Sequence, residues 1–483
     1  MAVDGGPARR PWLVGAVTGV PAAVLYLALD WVRLATGRSG NYDLGIFAQA
    51  AQRWAAGRLP GSSIRSLDTL FADHFSPITV LFGVGWSCWP DPRSLLVVQS
   101  LALGLAVGLV GVVAARHLPT PVAVGVTAAT ALAKGLVSAA SFDVHETALG
   151  APLVAGLAWG LLERRRRLTL GCAAGLLAVK EDLGLTVAAA GALWWWLERQ
   201  QGRGPQGRRT ALALVGLGLA GLVLANLVVV WAAPDHRSPY LQFLLGAAGN
   251  PQGLTGAQVS GGTRWAPALL FALAAGVVAL RSPLAVLALP TLAWRAASSN
   301  TSYWQTYFHY DAVLVPIAAI ALVDVLSRLA VVPAVVSAGG PAPGASRRRV
   351  EAGVVAVALG WSAWIGLAKV AAWQPWDVHR WTPTARMRDA AALGELVPRG
   401  GAVVAQQDLG PAVLARVDVR MLTDTVPAAG GWVLLTPDGD QLGAPQAAKR
   451  RWLDAVARRP GVEITRRGDC VLVRLPGAEP VVL

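Results

Sequence analysis

Five short stretches carry the residue types of proton transfer and anion binding: Asp43; Asp73 with His74; Asp143, His145 and Glu146; Lys180, Glu181 and Asp182; and His309, Tyr310 and Asp311. Each lies beside a long apolar run. An ionisable group at the centre of a membrane helix costs roughly 2.5–3.5 kcal/mol on insertion scales, so its presence there is itself a functional hypothesis. Carboxylates, histidines and a lysine at lipid depth suit a substrate that is half lipid and half polar, such as a sugar carried on a polyprenyl phosphate. In glycosyl transfer a carboxylate takes the proton of the acceptor hydroxyl, while cationic charge steadies the departing phosphate through a transition state of oxocarbenium character. The same residues also fit a proton- or ion-coupled transporter or a flippase, and composition alone does not separate the two.

Each cluster also has a plainer reading. Asp43 stands where it can cap the helix that follows it, and Asp73 can do the same. His74 and His309, taken singly, are the kind of histidine that packs at an interface more often than it binds a ligand. His145 and Glu146 open a helix, where negative charge meets the positive end of the dipole. Lys180-Glu181-Asp182 is hardest to explain away, because three charges between two short apolar stretches make a poor lipid-facing turn.

The elements that must hold these residues are membrane helices. Of 483 residues, 54% are hydrophobic and only 14% charged, which fits neither a disordered chain nor an ordinary soluble protein. The net charge of +14 sits in arginine clusters between apolar runs, so topology accounts for it and no nucleic-acid partner is called for. With Arg9 and Arg10 on the cytoplasmic side, a first, uncleaved helix from Trp12 to Leu34 delivers Asp43 to the outer face, followed by an amphipathic interfacial helix carrying Leu44, Phe47, Ala51 and Trp54. Phe75 to Trp89 is short and broken by Pro77, and reading it as non-spanning keeps Arg164 to Arg167 inside. The alternation then predicts about eleven crossings. All five charged clusters reach the outer boundary. A Pro/Gly/Ala-rich linker, Val331 to Ser346, precedes the last crossing, Val350 to Trp373.

From Gln374 the pattern changes to short β runs, Ala402 to Val404, Gly431 to Leu435 and Cys470 to Leu475, alternating with helical stretches. The expected organisation is a transmembrane domain over residues 1–373 and a small extracytoplasmic α/β domain over 374–483. No fixed-period repeat and no glycine-rich phosphate loop occurs. Transporters often consist of paired halves, and the interrupted hairpin at Lys180 has no counterpart, which favours an enzyme. A third option is a non-catalytic assembly protein that presents the tail. Cys88, Cys172 and Cys470 show no metal-ligand spacing, and a Cys88–Cys470 disulfide is the one pairing left open.

Taken as an ordered set, Tyr42 to Gln49, His74 to Ile78, Phe142 to Glu146, Lys180 to Asp182 and His309-Tyr310 resemble an uncharacterised family of bacterial and archaeal membrane proteins that bears a domain-of-unknown-function label. That family is similar to the GT-C glycosyltransferases, polytopic enzymes that take sugars from polyprenyl-phosphate donors on the outer face of the membrane. The resemblance covers Tyr42 to Asp311 and implies a GT-C-like α-helical membrane protein with Asp43 as base and Asp143 or Glu146 assisting. It implies that Lys180, with His74, holds the donor phosphate, and that Asp73, His145, Glu181, Asp182, His309 and Tyr310 contribute to the substrate site. Its implied partners are a polyprenyl-phosphate-linked sugar, the bilayer and a cell-envelope glycan or protein acceptor. The chain departs from many such relatives in having one acidic residue, Asp43, where they have a pair. That leaves a divalent metal ion open rather than required, with Asp43 and Asp143 the ligands it would use.

Overall fold

The apolar runs fold as helices whose closest approaches are made by small residues. α1 (Arg10–Ala35) lies along α4 (Arg93–His117) with Gly15 and Gly19 against Gly104 and Gly108, and a Cβ on Gly104 would stand 2.5 Å from that of Ala23. Helices in lipid gain little from hydrophobic exclusion between them, so backbone-close packing of this kind replaces it. α9 (Leu183–Gln200) and α10 (Pro205–Ala232) meet in the same way, through Gly184 and Gly191 on one and Gly218 on the other. A computed structural model describes residues 10–200, 205–236, 263–298, 300–336, 345–422, 425–426, 431–441, 444–476 and 481–482.

Among the described residues four helices are long and apolar enough to cross a membrane: α1, α4, α10 and the last, Ala345–Trp373. A fifth span is broken, with α5 (Thr120–Ala131) and α6 (Lys134–Ala140) bent by 47°. This is fewer than the eleven or so crossings expected from hydropathy. Three apolar helical stretches are shorter, Pro77–Cys88, α7 (Glu146–Leu162) and Pro283–Ala297, and α7 opens on the buried Glu146, which pairs with the buried Lys180. α3 (Val80–Cys88) confirms the expected short segment, since nine residues reach only about 14 Å against a hydrocarbon core of about 30 Å. Much of the outer loop expected to run to Arg264, and the centre of the Val331 to Ser346 linker, lie outside the described residues.

The tail folds as a five-stranded sheet in the order β2-β1-β4-β6-β5, from β1 (Ala402–Ala405), β2 (Asp418–Met421), β4 (Trp432–Leu435), β5 (Glu463–Arg467) and β6 (Cys470–Arg474). β1 pairs in parallel with β2 and β4, and β6 is antiparallel to β4 and β5. Helices Ala385–Gly394 and Gln446–Val456 accompany it, and a two-residue β3 (Thr425–Val426) pairs with β7 (Val481–Val482). Cys88 is exposed at the end of α3, Cys470 is buried in β6, and all three cysteines are free. The Cys88–Cys470 disulfide is therefore not formed.

The sheet is bolted to the segment that carries Asp43. Buried Asn41 donates its side-chain amide to the carbonyls of Ala405 and Gln406 at 3.1 Å each, and its backbone N–H to the Gln407 carbonyl at 2.9 Å. The Gln407 side-chain oxygen accepts the Tyr42 N–H at 3.1 Å. On α2 (Ile46–Ala55), Gln49 reaches the Val419 carbonyl and Gln52 the Leu414 carbonyl. Gly410 leaves the room this joint needs, since a Cβ there would fall 1.6 Å from the Asn41 side-chain oxygen. Gly410→Ala is expected to destabilise the joint by about 1–3 kcal/mol, the usual cost of overpacking. Limited proteolysis should then release a sheet fragment faster from the variant than from the native protein; equal rates would mean the joint does not depend on this contact.

Candidate active site

Asp43 does not cap a helix. It sits inside a single π turn, Asn41–Gly45, ahead of α2, a conformation that recurs at functional positions because it re-aims one side chain. Its carboxylate faces His145, whose Nε2 lies 3.2 Å from Oδ1. The other ring nitrogen of His145 is 3.5 Å from Glu146, and Glu146 is paired at 3.2 Å with Lys180. Next to Lys180, Glu181 contacts His74 at 2.9 Å and also accepts the Phe75 N–H. Next to His74, Asp73 accepts from Arg65 at 3.0 Å, and Arg65 turns its other terminal nitrogen onto the hydroxyl of Tyr42, the neighbour of Asp43.

The contacts thus close a ring in which each link is an ion pair or two residues adjacent in sequence, apart from the hydrogen bond of Arg65 to the Tyr42 hydroxyl. The segments meeting in it are the π turn, a polar hairpin from Ser62 to Leu67, the turn before α3, the loop into α7 and the break between α8 (Arg166–Leu176) and α9. The Ile78 N–H donates to the Ala178 carbonyl at 2.9 Å and so joins two of them by backbone as well. Inside lies a cavity of about 190 Å³ lined by charged and polar residues, Asp43, Asp73, Arg65, His74, His145 and Lys180, and by aromatic ones, Phe47, Phe71, Phe308 and Tyr303. The Phe47 ring packs edge-on against His145 with centroids 5.2 Å apart, so apolar surface lies directly beside the charge.

Of the residues picked from sequence, Asp43, Asp73, His74, His145, Glu146, Lys180, His309 and Tyr310 all line this cavity. His309 stacks on His145 with ring centroids 3.4 Å apart, and the guanidinium of Arg295 lies 5.5 Å from the Tyr310 ring. Glu181 stands behind His74, and Asp182 accepts from the Trp294 indole at 2.9 Å, facing away from the cavity lining. The structure does not bring Asp143 to the cavity. Its carboxylate takes the Arg33 Nε–H at 3.0 Å and the Gly40 N–H at 3.2 Å, tying the end of α1 to the start of the π turn. Asp311 is likewise paired with Arg295, which also donates to the Tyr303 and Gln305 carbonyls and so shapes the loop carrying His309. Arg65 is the residue that sequence reasoning passed over. The signal was an arginine in a loop assigned to the outer face, where the positive-inside bias thins them.

Among the described residues no group of three or more His, Cys, Asp or Glu side chains is arranged to hold a metal ion. Asp43 and Asp143 do not form such a pair, because both Asp143 oxygens are taken up by Arg33 and Gly40.

The helix bundle with its small C-terminal sheet domain has a GT-C-like fold. ArnT from Cupriavidus metallidurans, a GT-C glycosyltransferase solved bound to undecaprenyl phosphate, superposes with a TM-score of 0.55 at 16% identity, over 97% of this chain and 98% of that one. Its apo form matches over the same extents at 14% identity and a TM-score of 0.49. No curated protein matches the sequence. Residues 33–459 match the family described as "Predicted membrane protein (DUF2079)", and the chain belongs to that family.

His145 lies in a loop outside the spanning helices. Burial opposes its charge, but the hydrogen bonds it donates to Asp43 and Glu146, with the negative charge of both, outweigh it and hold the ring pKa up at about 9. Buried beside it, His309 is driven well below the ordinary histidine value by desolvation and by the His145 charge, so a neutral ring stacks on a cationic one. Because the folded pKa lies above the unfolded value of 6.5, the stabilisation by protonated His145 is complete below 6.5 and is lost as pH rises towards 9. The excess thermal stability of the native protein over His145→Gln should therefore shrink steadily across that window. A difference that stays constant from pH 6 to pH 9.5 would show that His145 is not charged in the folded ring.

Proposed function

We propose that this protein is an inverting glycosyltransferase that moves a sugar from a polyprenyl-phosphate donor to a cell-envelope acceptor on the outer face of the membrane. The observation that carries this reading is Asp43 held by His145 in a ring of charge that lines a cavity together with aromatic residues. The relation of fold to a protein solved with undecaprenyl phosphate supports the same donor class. The orientation follows from the arginines: Arg116 and Arg165 pair with Glu163 at the end of α7 opposite to His145 and Glu146. The positive-inside rule puts that end in the cytoplasm, and the cavity and sheet domain outside.

In the proposed reaction the acceptor hydroxyl oxygen attacks the anomeric carbon as the bond from that carbon to the phosphate oxygen breaks. Asp43 takes the hydroxyl proton, and His145 aligns its carboxylate. The electron pair of the broken bond leaves on the polyprenyl phosphate, whose charge meets Lys180, His74 and Arg65. These donors are fixed before the substrate arrives, which is what makes electrostatic stabilisation effective.

Asp43→Asn keeps the size of the side chain and removes the base. Transfer of radiolabelled sugar from a polyprenyl-phosphate donor, by protein in lipid nanodiscs, should fall by roughly 10²–10⁴-fold, the range typical of general-base loss. Native-level transfer by this variant would remove Asp43 from the role. Lys180→Met with Glu146→Gln removes the cation without leaving a buried carboxylate unpaired, and it should weaken donor binding by roughly tenfold, about 1.4 kcal/mol. Unchanged donor affinity in a folded double variant would exclude Lys180 from phosphate binding.

A further inference from the structure

α2 separates two cavities. Ile46 and Phe47 face the charge ring, whereas Gln49, Gln52 and Arg53 on the opposite side line a second and larger cavity of about 670 Å³. Its far wall is β2 of the sheet domain, through Asp418 and Arg420. Its near wall is the hairpin closed by Ser62 and Leu67, whose backbones exchange hydrogen bonds of 2.9 and 3.0 Å, with Ser66 at the turn in the left-handed region at φ 53°. Apart from Ile64, Leu67 and Met421, every side chain lining it is a hydroxyl, an amide or a charge.

The charges are unevenly committed. Asp418 already accepts from Gln49 at 3.1 Å and Ser63 at 3.0 Å, and Arg53 donates Nε–H to the Leu59 carbonyl at 2.8 Å. Arg58 and Arg420 are exposed on the rim, and Asp68 stands near them, also exposed. Guanidinium groups give directed, charge-assisted hydrogen bonds to carboxylate or phosphate, while amides and serine hydroxyls exchange hydrogen bonds with alcohols. A ligand that satisfies this lining carries many hydroxyls and at least one anionic group.

We infer that the second cavity binds an acidic saccharide, a run of sugars bearing carboxylate or phosphate substituents. The hairpin that forms its wall also carries Arg65, which reaches through to Asp73 and Tyr42 in the ring, so an occupant of the second cavity packs on the element that closes the first. This makes the second cavity the seat of an acceptor's body; that role rests on the transferase reading, whereas saccharide binding does not.

Calorimetry on the full-length protein in nanodiscs, with no donor present, tests binding separately from catalysis. The probes are tetragalacturonate, neutral maltotetraose and inorganic phosphate, against native protein and the Arg58→Ala/Arg420→Ala variant, which leaves the ring intact. Saturable tetragalacturonate binding, weakened by about tenfold or more in the variant and stronger than that of maltotetraose, is the expected result. Absence of tetragalacturonate binding at millimolar concentration, or affinity equal in the native protein and the variant, would overturn the assignment. Phosphate binding as tightly as tetragalacturonate would overturn it too, because the site would then recognise an ion and not a sugar chain. Transfer that fails while binding persists would reject the transferase reading and leave this one standing.

Discussion

A charge buried beside lipid is tolerable only with a partner, and removing one member of a buried pair typically costs several kcal/mol because the other is stranded. The ring through Asp43, His145, Glu146, Lys180, Glu181, His74, Asp73, Arg65 and Tyr42 meets that requirement collectively. No segment supplies both partners of any pair other than the neighbours His145 and Glu146. The ring therefore forms only when the helix bundle has brought five distant stretches together. It is thus a condition of the fold, whatever else it does.

A lower layer keeps the ring in place. Gln99 of α4 accepts the His145 N–H at 3.0 Å through its oxygen, and its nitrogen is oriented by the buried carboxylate of Asp30 at 3.3 Å. Ser100 donates to the same carboxylate. Beside it, the Arg33–Asp143 pair fixes the end of α1, and the Gly40 N–H ties that pair to the π turn. An amide whose two ends are both committed cannot flip, so the backbone at His145 has one position. The rings of His145 and His309 then stack on a loop that Arg295 has already shaped.

The parts legible in the sequence were those in which a charge conflicts with its surroundings. Asp43, His145, Glu146, Lys180 and His74 stand out because membrane depth makes an ionisable side chain expensive, and each lines the cavity. Asp143 carries the same signal for a different reason: its partner, Arg33, lies at the end of the preceding α1, and nothing in local spacing reveals a pair formed 110 residues apart. Arg65 lies in a polar loop, where the one signal it carries is an arginine on the side that the positive-inside bias thins. Hydropathy registers an apolar run whether or not a turn breaks it, so the 47° bend between α5 and α6 within one expected crossing was not visible in the sequence. The strands β1, β4 and β6 were visible as apolar runs, but where the sheet docks was not, since that depends on contacts between residues near 41 and near 407.

That docking gives the sheet domain a part in holding the segment that carries Asp43. The π turn, Asn41–Gly45, enters α2 off the ordinary α register, and its position is fixed by contacts outside the helix. Here Asn41 and Tyr42, the two residues before Asp43, are held by Gln406 and Gln407 just past β1, where a parallel strand leaves its backbone groups open at the sheet's end. Gly40 completes the clamp, for a Cβ on it would strike the Gln407 amide at 2.1 Å. The turn is thus held from two sides, by the sheet at Asn41 and Tyr42 and by the Arg33–Asp143 pair of the bundle at Gly40. Because α2 continues directly from the turn and lines both cavities, the same joint bears on the position of Asp43 and on the second cavity. The tail is in this sense part of the site, and the chain from β1 to Asn41 to Asp43 links a soluble-type fold to chemistry at the membrane surface.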